Sequence, residues 1–161
     1  MKRTVAREIA IQLGFAVAAS GQDPAEAVEA FFAKEHYDSL AAESELYAER
    51  PSQKDLAFIT DCVAGVTAHR EELDALIGKY AKNWRAERIS RSAAAVLRQA
   101  MYEILYRPDV PDAASMDEAV ELLKGYEEPE VVAFVNGILG GFYRGEIEAK
   151  GEAPAGAETD A

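Results

Sequence analysis

The sequence has a single cysteine, Cys62, and only two histidines, His36 and His69, among its 161 residues. One cysteine cannot close an intrachain disulfide, so an apolar core must hold the fold, and a chain of this length buries about 70% of its unfolded surface. With so few thiols and imidazoles, and none at metal-ligand spacing, the sequence offers no zinc site. A free cysteine is usually buried, so we predict that Cys62 is a small core residue.

Motifs for catalysis are missing as well. Neither a P-loop nor a dinucleotide-binding glycine motif follows a strand-like segment. Ser90 and Ser115 stand where helix N-caps are expected, not on a nucleophile elbow. We therefore expect no enzyme and no cofactor. Since the sequence also lacks a signal peptide and a long uncharged apolar run, we expect a cytoplasmic protein without a membrane partner.

Positive charge is scarce and unevenly distributed. The net charge is −12, from 17 Lys and Arg against 29 Asp and Glu. Two segments are nevertheless basic, with net charges of +2 over residues 1–20 and +5 over residues 79–98, which leaves −19 for all other residues. Such a chain can present a basic patch within an acidic surface, and the patch attracts anions over about one Debye length.

Helical periodicity is present throughout, and its strongest stretch is Arg88–Pro111. Apolar residues recur there at spacings of three and four, which predicts a central core helix ended by Pro108. Arg98 and Tyr102 each fall within about 20° of Arg91, on the opposite face. Six further helices are predicted over residues 4–19, from Pro24, over 53–69, over 70–80, from Met116 to Tyr126 and from Pro129 to Phe142, with a capping box at Ser115–Glu118.

The predicted fold class is therefore all-α. Residues 1–145 should form one helical domain. Residues 146–161 contain too little apolar area to offset the entropy of ordering, so we predict a disordered acidic tail there.

Five segments, in their order and spacing, resemble the NusB family of bacterial transcription antitermination factors: Ala6–Leu13, Trp84–Ile89, Leu97–Pro111, Asp117–Lys124 and Phe134–Leu139. The resemblance covers residues 3–143 and implies about seven helices in two packed halves. A similar domain also precedes ribosomal RNA cytosine methyltransferases. Because the 161 residues include no segment for a methyltransferase, we expect the free-standing factor.

The resemblance implies a binding function without catalysis. Its members pair with the ribosomal protein NusE, hold the single-stranded boxA element of nascent RNA, and join the antitermination complex of RNA polymerase on ribosomal RNA operons. By position, RNA contacts would come from Lys2, Arg3 and Arg7, which are fewer cations than the family usually has, and from Phe15, where the family usually has tyrosine. The implied partner-binding residues are Tyr102, Glu103, Glu130 and Phe134.

The residues themselves suggest a second RNA site. Unpaired RNA is bound by cations together with flat side chains, and Arg85, Arg88 and Arg91 lie in sequence beside Trp84. Trp84 and Phe134 could instead be core residues, and Tyr102 a packed aromatic. The acidity of the chain and its few N-terminal arginines leave an alternative open, a helical protein-interaction module or homodimer that has lost RNA binding.

Overall fold

The computed structural model describes residues 1–82 and 89–152, with side chains through residue 150. Regular structure in these ranges is helical, without a strand. The eight longer helices are α1 Arg3–Ser20, α2 Pro24–Phe31, α3 Lys34–Glu43, α4 Gln53–Ala68, α5 Arg70–Tyr80, α6 Arg91–Tyr106, α7 Asp112–Leu123 and α8 Pro129–Phe142. A 3-10 turn follows α3 at Glu45–Tyr47, and a π-helical segment, Tyr143–Glu148, continues α8 into a last helical turn, Ala149–Glu152. The predicted all-α class is confirmed.

Local capping residues set several helix starts. The Asp23 side chain accepts a hydrogen bond from the backbone N–H of Glu26 at 3.2 Å, and Pro24 occupies the first helical position of α2. Ser52 and Asp55 form a capping box at the start of α4. Ser90 caps α6 by accepting from the backbone N–H of Ala93 at 3.1 Å. These starts follow from the sequence because each cap needs only neighbouring residues.

Two local predictions were wrong. Helix α7 begins at Asp112, directly after Pro111, so Ser115 is not an N-cap but a buried residue inside the helix. Its hydroxyl donates to Glu103 Oε1 at 3.1 Å instead of accepting from the backbone. In addition, a separate helix, α3, occupies the region where the periodicity of the second predicted helix fades.

Helix α6 is the centre of the core, as predicted. It packs against α1 and α4 in the N-terminal half and against α5, α7 and α8 in the C-terminal half. Its apolar face is fully buried at Ala93, Leu97, Ala100 and Met101. Because one helix contributes to both halves, the two share a continuous hydrophobic core, in which Cys62 is also buried.

Most of the opposite face of α6 is covered by α4 and α5, and only Arg91, at the start of the helix, is open to solvent as the sequence suggested. Arg98 pairs with Asp74 of α5, and Tyr102 is 5% exposed. The Tyr102 ring lies against Gly65 of α4, so closely that a Cβ at Gly65 would overlap it. Glycine at this position is therefore what allows α4 and α6 to approach each other.

Helical structure continues past residue 145, the predicted end of the domain. Glu146 accepts hydrogen bonds from the Tyr80 hydroxyl, from Lys79 Nζ at 2.7 Å and from Lys150 Nζ at 3.2 Å. Gly145 lies against the Tyr80 ring. These contacts fasten the π-helical segment to the end of α5. None of the described helices is both long and apolar enough to span a membrane.

Candidate nucleic-acid interface

The structure corrects the assignments of Arg7 to RNA and of Glu103 to a protein partner, because both side chains are buried. Their exposed fractions are 1% and 0%. Arg7 Nε and Nη2 donate to Glu103 Oε2 and Oε1 at 2.8 and 2.7 Å, which makes a bidentate pair between α1 and α6. Neither group can reach an RNA phosphate or a partner surface while this pair is intact.

Further polar groups complete the Arg7–Glu103 pair. Glu103 also accepts from Gln99 Nε2 at 2.9 Å and from the Ser115 hydroxyl. Arg7 Nη1 lies 2.6 Å from Glu118 Oε2 as an ion pair without the alignment of a hydrogen bond. Desolvation alone would lower the pKa of Arg7, but the hydrogen bonds to Glu103 and the charges of both glutamates outweigh it and raise the pKa. The network therefore holds a permanent buried cation that links α1, α6 and α7.

The other N-terminal cations remain near the surface. Lys2 is exposed at the N-cap of α1, and the guanidinium of Arg3 lies 4.0 Å from the centre of the Phe58 ring, a cation–π contact. Phe15 is twelve residues further along α1 than Arg3, which is about 18 Å along the axis and about 120° around it. The structure thus keeps Lys2 and Arg3 apart from Phe15, and they cannot contact the same nucleotide.

Phe15 instead faces a groove with arginines. Its side chain is 41% exposed and lines a depression of about 520 Å³ between the end of α1, helix α5 and the start of α6. We call this depression the arginine groove; its charged lining residues are Arg70, Asp74, Arg91 and Arg98. Among the described lining residues, three cations against one anion give a net charge of +2, in a protein whose total is −12.

The arginines of the groove differ in their partners. Arg98 Nε donates to Asp74 Oδ1 at 2.7 Å, and Arg70 Nε lies 3.7 Å from Asp74 Oδ2. Arg91 is exposed and has no ion-pair partner among the residues that the structure describes. It is therefore the groove cation most available to an incoming anion.

Of the predicted second RNA site, the structure places only Arg91. Arg85, Arg88 and Trp84 lie outside the described residues. Ala81 and Ile89, which are near the two ends of that gap, both line the arginine groove.

A smaller apolar groove lies on the other side of Phe15. It has a volume of about 250 Å³, runs between α1, α6 and α7, and is lined by Ile11, Val96 and Leu122. Tyr126, 52% exposed, lies at its edge and donates its hydroxyl to Glu8 Oε1 at 3.0 Å. Phe15 and Tyr126 thus present two exposed rings at one apolar depression. Tyr126 was missed because it has the sequence context of an ordinary helix end.

A second surface with exposed aromatic character lies where α4, α5 and α6 meet. Tyr106 is 38% exposed, stacks on His69 with ring centroids 4.2 Å apart, and donates its hydroxyl to Glu72 Oε1 at 2.5 Å. We call Tyr106, His69 and Glu72 the aromatic patch. Tyr102 lies behind this patch and donates its hydroxyl to Asp61 Oδ2 at 3.0 Å. Burial is the main cause that raises the pKa of Tyr102, and this hydrogen bond adds to it. The assignment of Tyr102 to partner contact is therefore corrected to a packed residue that supports Tyr106.

A family model described as the NusB family matches residues 4–144. The chain belongs to the NusB family. Transcription antitermination protein NusB of Symbiobacterium thermophilum is 40% identical over 151 residues, 94% of this chain and 95% of the relative. The protein of the same name from Clostridium botulinum is 30% identical over 140 residues, 87% of this chain and 98% of the relative.

Solved structures of NusB proteins share the fold. T. maritima NusB matches with a TM-score of 0.72 at 24% identity, over 90% of this chain and 92% of that one. The structure of antitermination factors NusB and NusE in complex with dsRNA matches with a TM-score of 0.69 at 22% identity, over 88% and 96%. The NusB fold expected from the five sequence segments is thus confirmed.

Two further predicted contact residues lie on α8 of this NusB chain. Glu130 is exposed in the first turn, and Phe134, four residues later on the same face, is half-buried against the core. Their positions leave Glu130 accessible to a partner and make Phe134 partly a packing residue.

Proposed function

We propose that this chain is a transcription antitermination factor that binds boxA RNA together with ribosomal protein NusE, within the antitermination complex of RNA polymerase on ribosomal RNA operons. The curated relatives described above are transcription antitermination proteins, and one NusB of the same fold was solved with NusE and dsRNA. The observation that carries the proposal is the arginine groove, where three cations and an exposed aromatic ring meet on an acidic protein.

The groove has both properties that unpaired RNA requires. Arg91 would bind a phosphate, and Phe15 would stack on a base, an interaction that every base can make because each has a flat face. Lys2 and Arg3 would bind phosphates further along the strand, at the other end of α1. Arg85 and Arg88 remain predicted contributors from the segment outside the described residues.

The strength of RNA binding should depend on the partner. A net charge of −12 repels the RNA backbone at a distance, so we expect weak binding by the chain alone. A ribosomal protein bound beside the groove would add phosphate contacts of its own to the same strand. Titration of labelled boxA RNA into the chain, with and without NusE, should show clearly tighter binding with the partner, and equal affinities would refute the shared site.

Single substitutions test the groove itself. Arg91→Ala should weaken RNA binding and reduce the slope of log affinity against log salt by about 0.7, the loss of one single-strand phosphate contact. Phe15→Ala should weaken binding with little change of slope, since it removes stacking without a charge. The matched control is Lys34→Ala, an 84% exposed cation on α3. Equal effects of Arg91→Ala and Lys34→Ala would show a general charge effect and contradict the groove.

For the protein partner we propose the aromatic patch and Glu130 as contacts. An exposed tyrosine stacked on a histidine and bordered by carboxylates is suited to a partner with apolar and basic side chains. Tyr106→Ala should weaken NusE binding and leave RNA binding by the chain alone unchanged. Isothermal titration with NusE measures the first effect. Loss of RNA binding without any loss of NusE binding would assign Tyr106 to the RNA site instead.

A second candidate, a protein-interaction module or homodimer without RNA binding, is favoured by one observation. Burial of Arg7 leaves fewer N-terminal cations for RNA than the sequence suggested. Light scattering and filter binding separate the two candidates, because a dimer that retains no RNA on the filter supports this one.

A further inference from the structure

Asp74 occupies a distinctive position in the arginine groove. Its carboxylate lies between two of the three groove arginines, with Oδ1 2.7 Å from Arg98 Nε and Oδ2 3.7 Å from Arg70 Nε. It is the acidic residue among the described lining residues of the groove, and it comes from the middle of α5, facing α6. Each of its two oxygens thus points to a different cation, as two oxygens of one phosphate would.

The Asp74 contacts are of unequal strength and partly open to solvent. Arg98 is 15% exposed and directly hydrogen-bonded, whereas Arg70 and Asp74 are each 43% exposed. An ion pair with this exposure is weak, because water and salt screen it and two side chains must be ordered to form it. A second anion can therefore compete with the carboxylate for these arginines at little cost.

We propose that Asp74 is an internal competitor of RNA phosphate, which occupies Arg98 and Arg70 in the free protein and thereby limits the affinity of the arginine groove for RNA. The inference rests on the proposed RNA-binding function and concerns the same site. While Asp74 is ionised and in place, the groove offers Arg91 as its one cation without an ion-pair partner among the described residues. When RNA enters, its backbone must repel or displace this carboxylate before it can contact all three arginines.

The substitution Asp74→Asn tests this role without removing the geometry. Asparagine has nearly the same shape, and its carbonyl oxygen can still accept from Arg98 Nε, but it carries no charge. We expect labelled boxA RNA to bind about two- to five-fold more tightly at low salt, a gain that corresponds to the interaction free energy of one exposed ion pair. The salt slope should steepen by about 0.7 for each arginine that gains a phosphate, roughly 1.4 for both.

Asp38→Asn is the matched control. Asp38 on α3 also bridges two cations, with Lys34 Nζ at 2.8 Å and Arg50 Nη1 at 3.2 Å, and it is 51% exposed. None of these three residues lines the arginine groove. Asp38→Asn changes the net charge by the same amount, so it should leave the salt slope unchanged and shift affinity only slightly.

A double-mutant cycle adds a second readout. If Asp74 occupies Arg98, then Arg98→Ala should weaken RNA binding little in the wild type and several-fold more in the Asp74→Asn background. Equal losses of RNA affinity on Arg98→Ala in both backgrounds would overturn the inference. So would RNA binding by Asp74→Asn that is unchanged or weaker than wild type, or a gain of affinity from Asp38→Asn as large as that from Asp74→Asn. Absence of RNA binding by the wild-type chain, alone and with NusE, would instead refute the proposed function, so the two failures are distinguishable. Thermal unfolding of each variant confirms that it is folded at the titration temperature.

Discussion

The buried Arg7–Glu103 pair predicts a large and specific loss of stability. In Arg7→Met, Glu103 becomes a buried carboxylate without its cation, although Gln99 and Ser115 still donate to it. Removing one partner of a buried pair costs about 3–5 kcal/mol, and the remaining donors place this case near about 3 kcal/mol. For a chain of this size each kcal/mol lowers Tm by about 2–4 °C, so we expect a decrease of about 6–12 °C.

Circular dichroism during heating at pH 7 measures this loss, and two variants serve as controls. Arg3→Met makes the same chemical change on the same helix, but Arg3 loses only a cation–π contact with Phe58, worth about 1 kcal/mol or less at a partly exposed site. The double variant Arg7→Met with Glu103→Leu removes both charges, so it should recover part of the stability that either single change loses.

The same variant decides whether Arg7 binds RNA. At a temperature where it is folded, Arg7→Met should leave the salt slope of boxA binding unchanged. A Tm within about 2 °C of wild type, which corresponds to 1 kcal/mol or less, would refute the buried-pair reasoning. If the slope also fell by about 0.7, Arg7 would be a phosphate contact, as the sequence first suggested.

Three further predictions concern packing and titration. Gly65→Ala should lower the free energy of unfolding by about 1–3 kcal/mol because the added methyl would overlap Tyr102. Gly137→Ala has open space around the new methyl and should raise it by about 1 kcal/mol, so equal denaturation midpoints of the two variants would contradict this packing. The pKa of Glu146 is lowered to about 2, mainly by the hydrogen bond from Lys79, so the stability that Glu146 contributes is complete above about pH 4.5 and disappears toward pH 2. Thermal unfolding of Glu146→Gln should therefore lack this pH dependence, and a pH profile equal to that of the wild type would refute the assignment. Burial raises the pKa of Cys62 to about 12, so Ellman's reagent should label it only after unfolding, and fast labelling of the folded chain would contradict its burial.

The sequence predicted the fold better than the binding surface, for a physical reason. Helix starts at Asp23, Ser52 and Ser90 depend on residues within one turn, and the apolar face of α6 depends on periodicity alone. Such local signals are complete within the sequence. Ser115 was not predictable in this way, because the carboxylate that accepts its hydrogen bond, Glu103, lies twelve residues away on another helix.

The binding residues were harder to predict because their exposure depends on distant partners. Arg7 and Glu103 are 96 residues apart, so no local pattern could show that they neutralise each other. One signal was available, since Arg7 stands between buried apolar residues of α1, and Glu103 between Met101 and Ile104 on α6. Charges inside two apolar stripes are typical of a buried pair. Phe15 could be predicted as an exposed aromatic, but only the packing of α5 against α6 showed which arginines it faces.

The position of the two proposed surfaces on α6 explains how a protein partner could strengthen RNA binding without a change of conformation. Arg98 lies at the arginine groove, and Tyr106 lies eight residues later on the same helix, about 12 Å along its axis and about 80° around it. A partner seated on the aromatic patch would therefore be close enough to contact RNA that leaves the groove. The apolar face of α6 is fixed in the core from Ala93 to Ile104, so the distance between the two surfaces is constant. The affinity gain then comes from phosphate contacts that are added in place, and it should carry the salt dependence of those contacts.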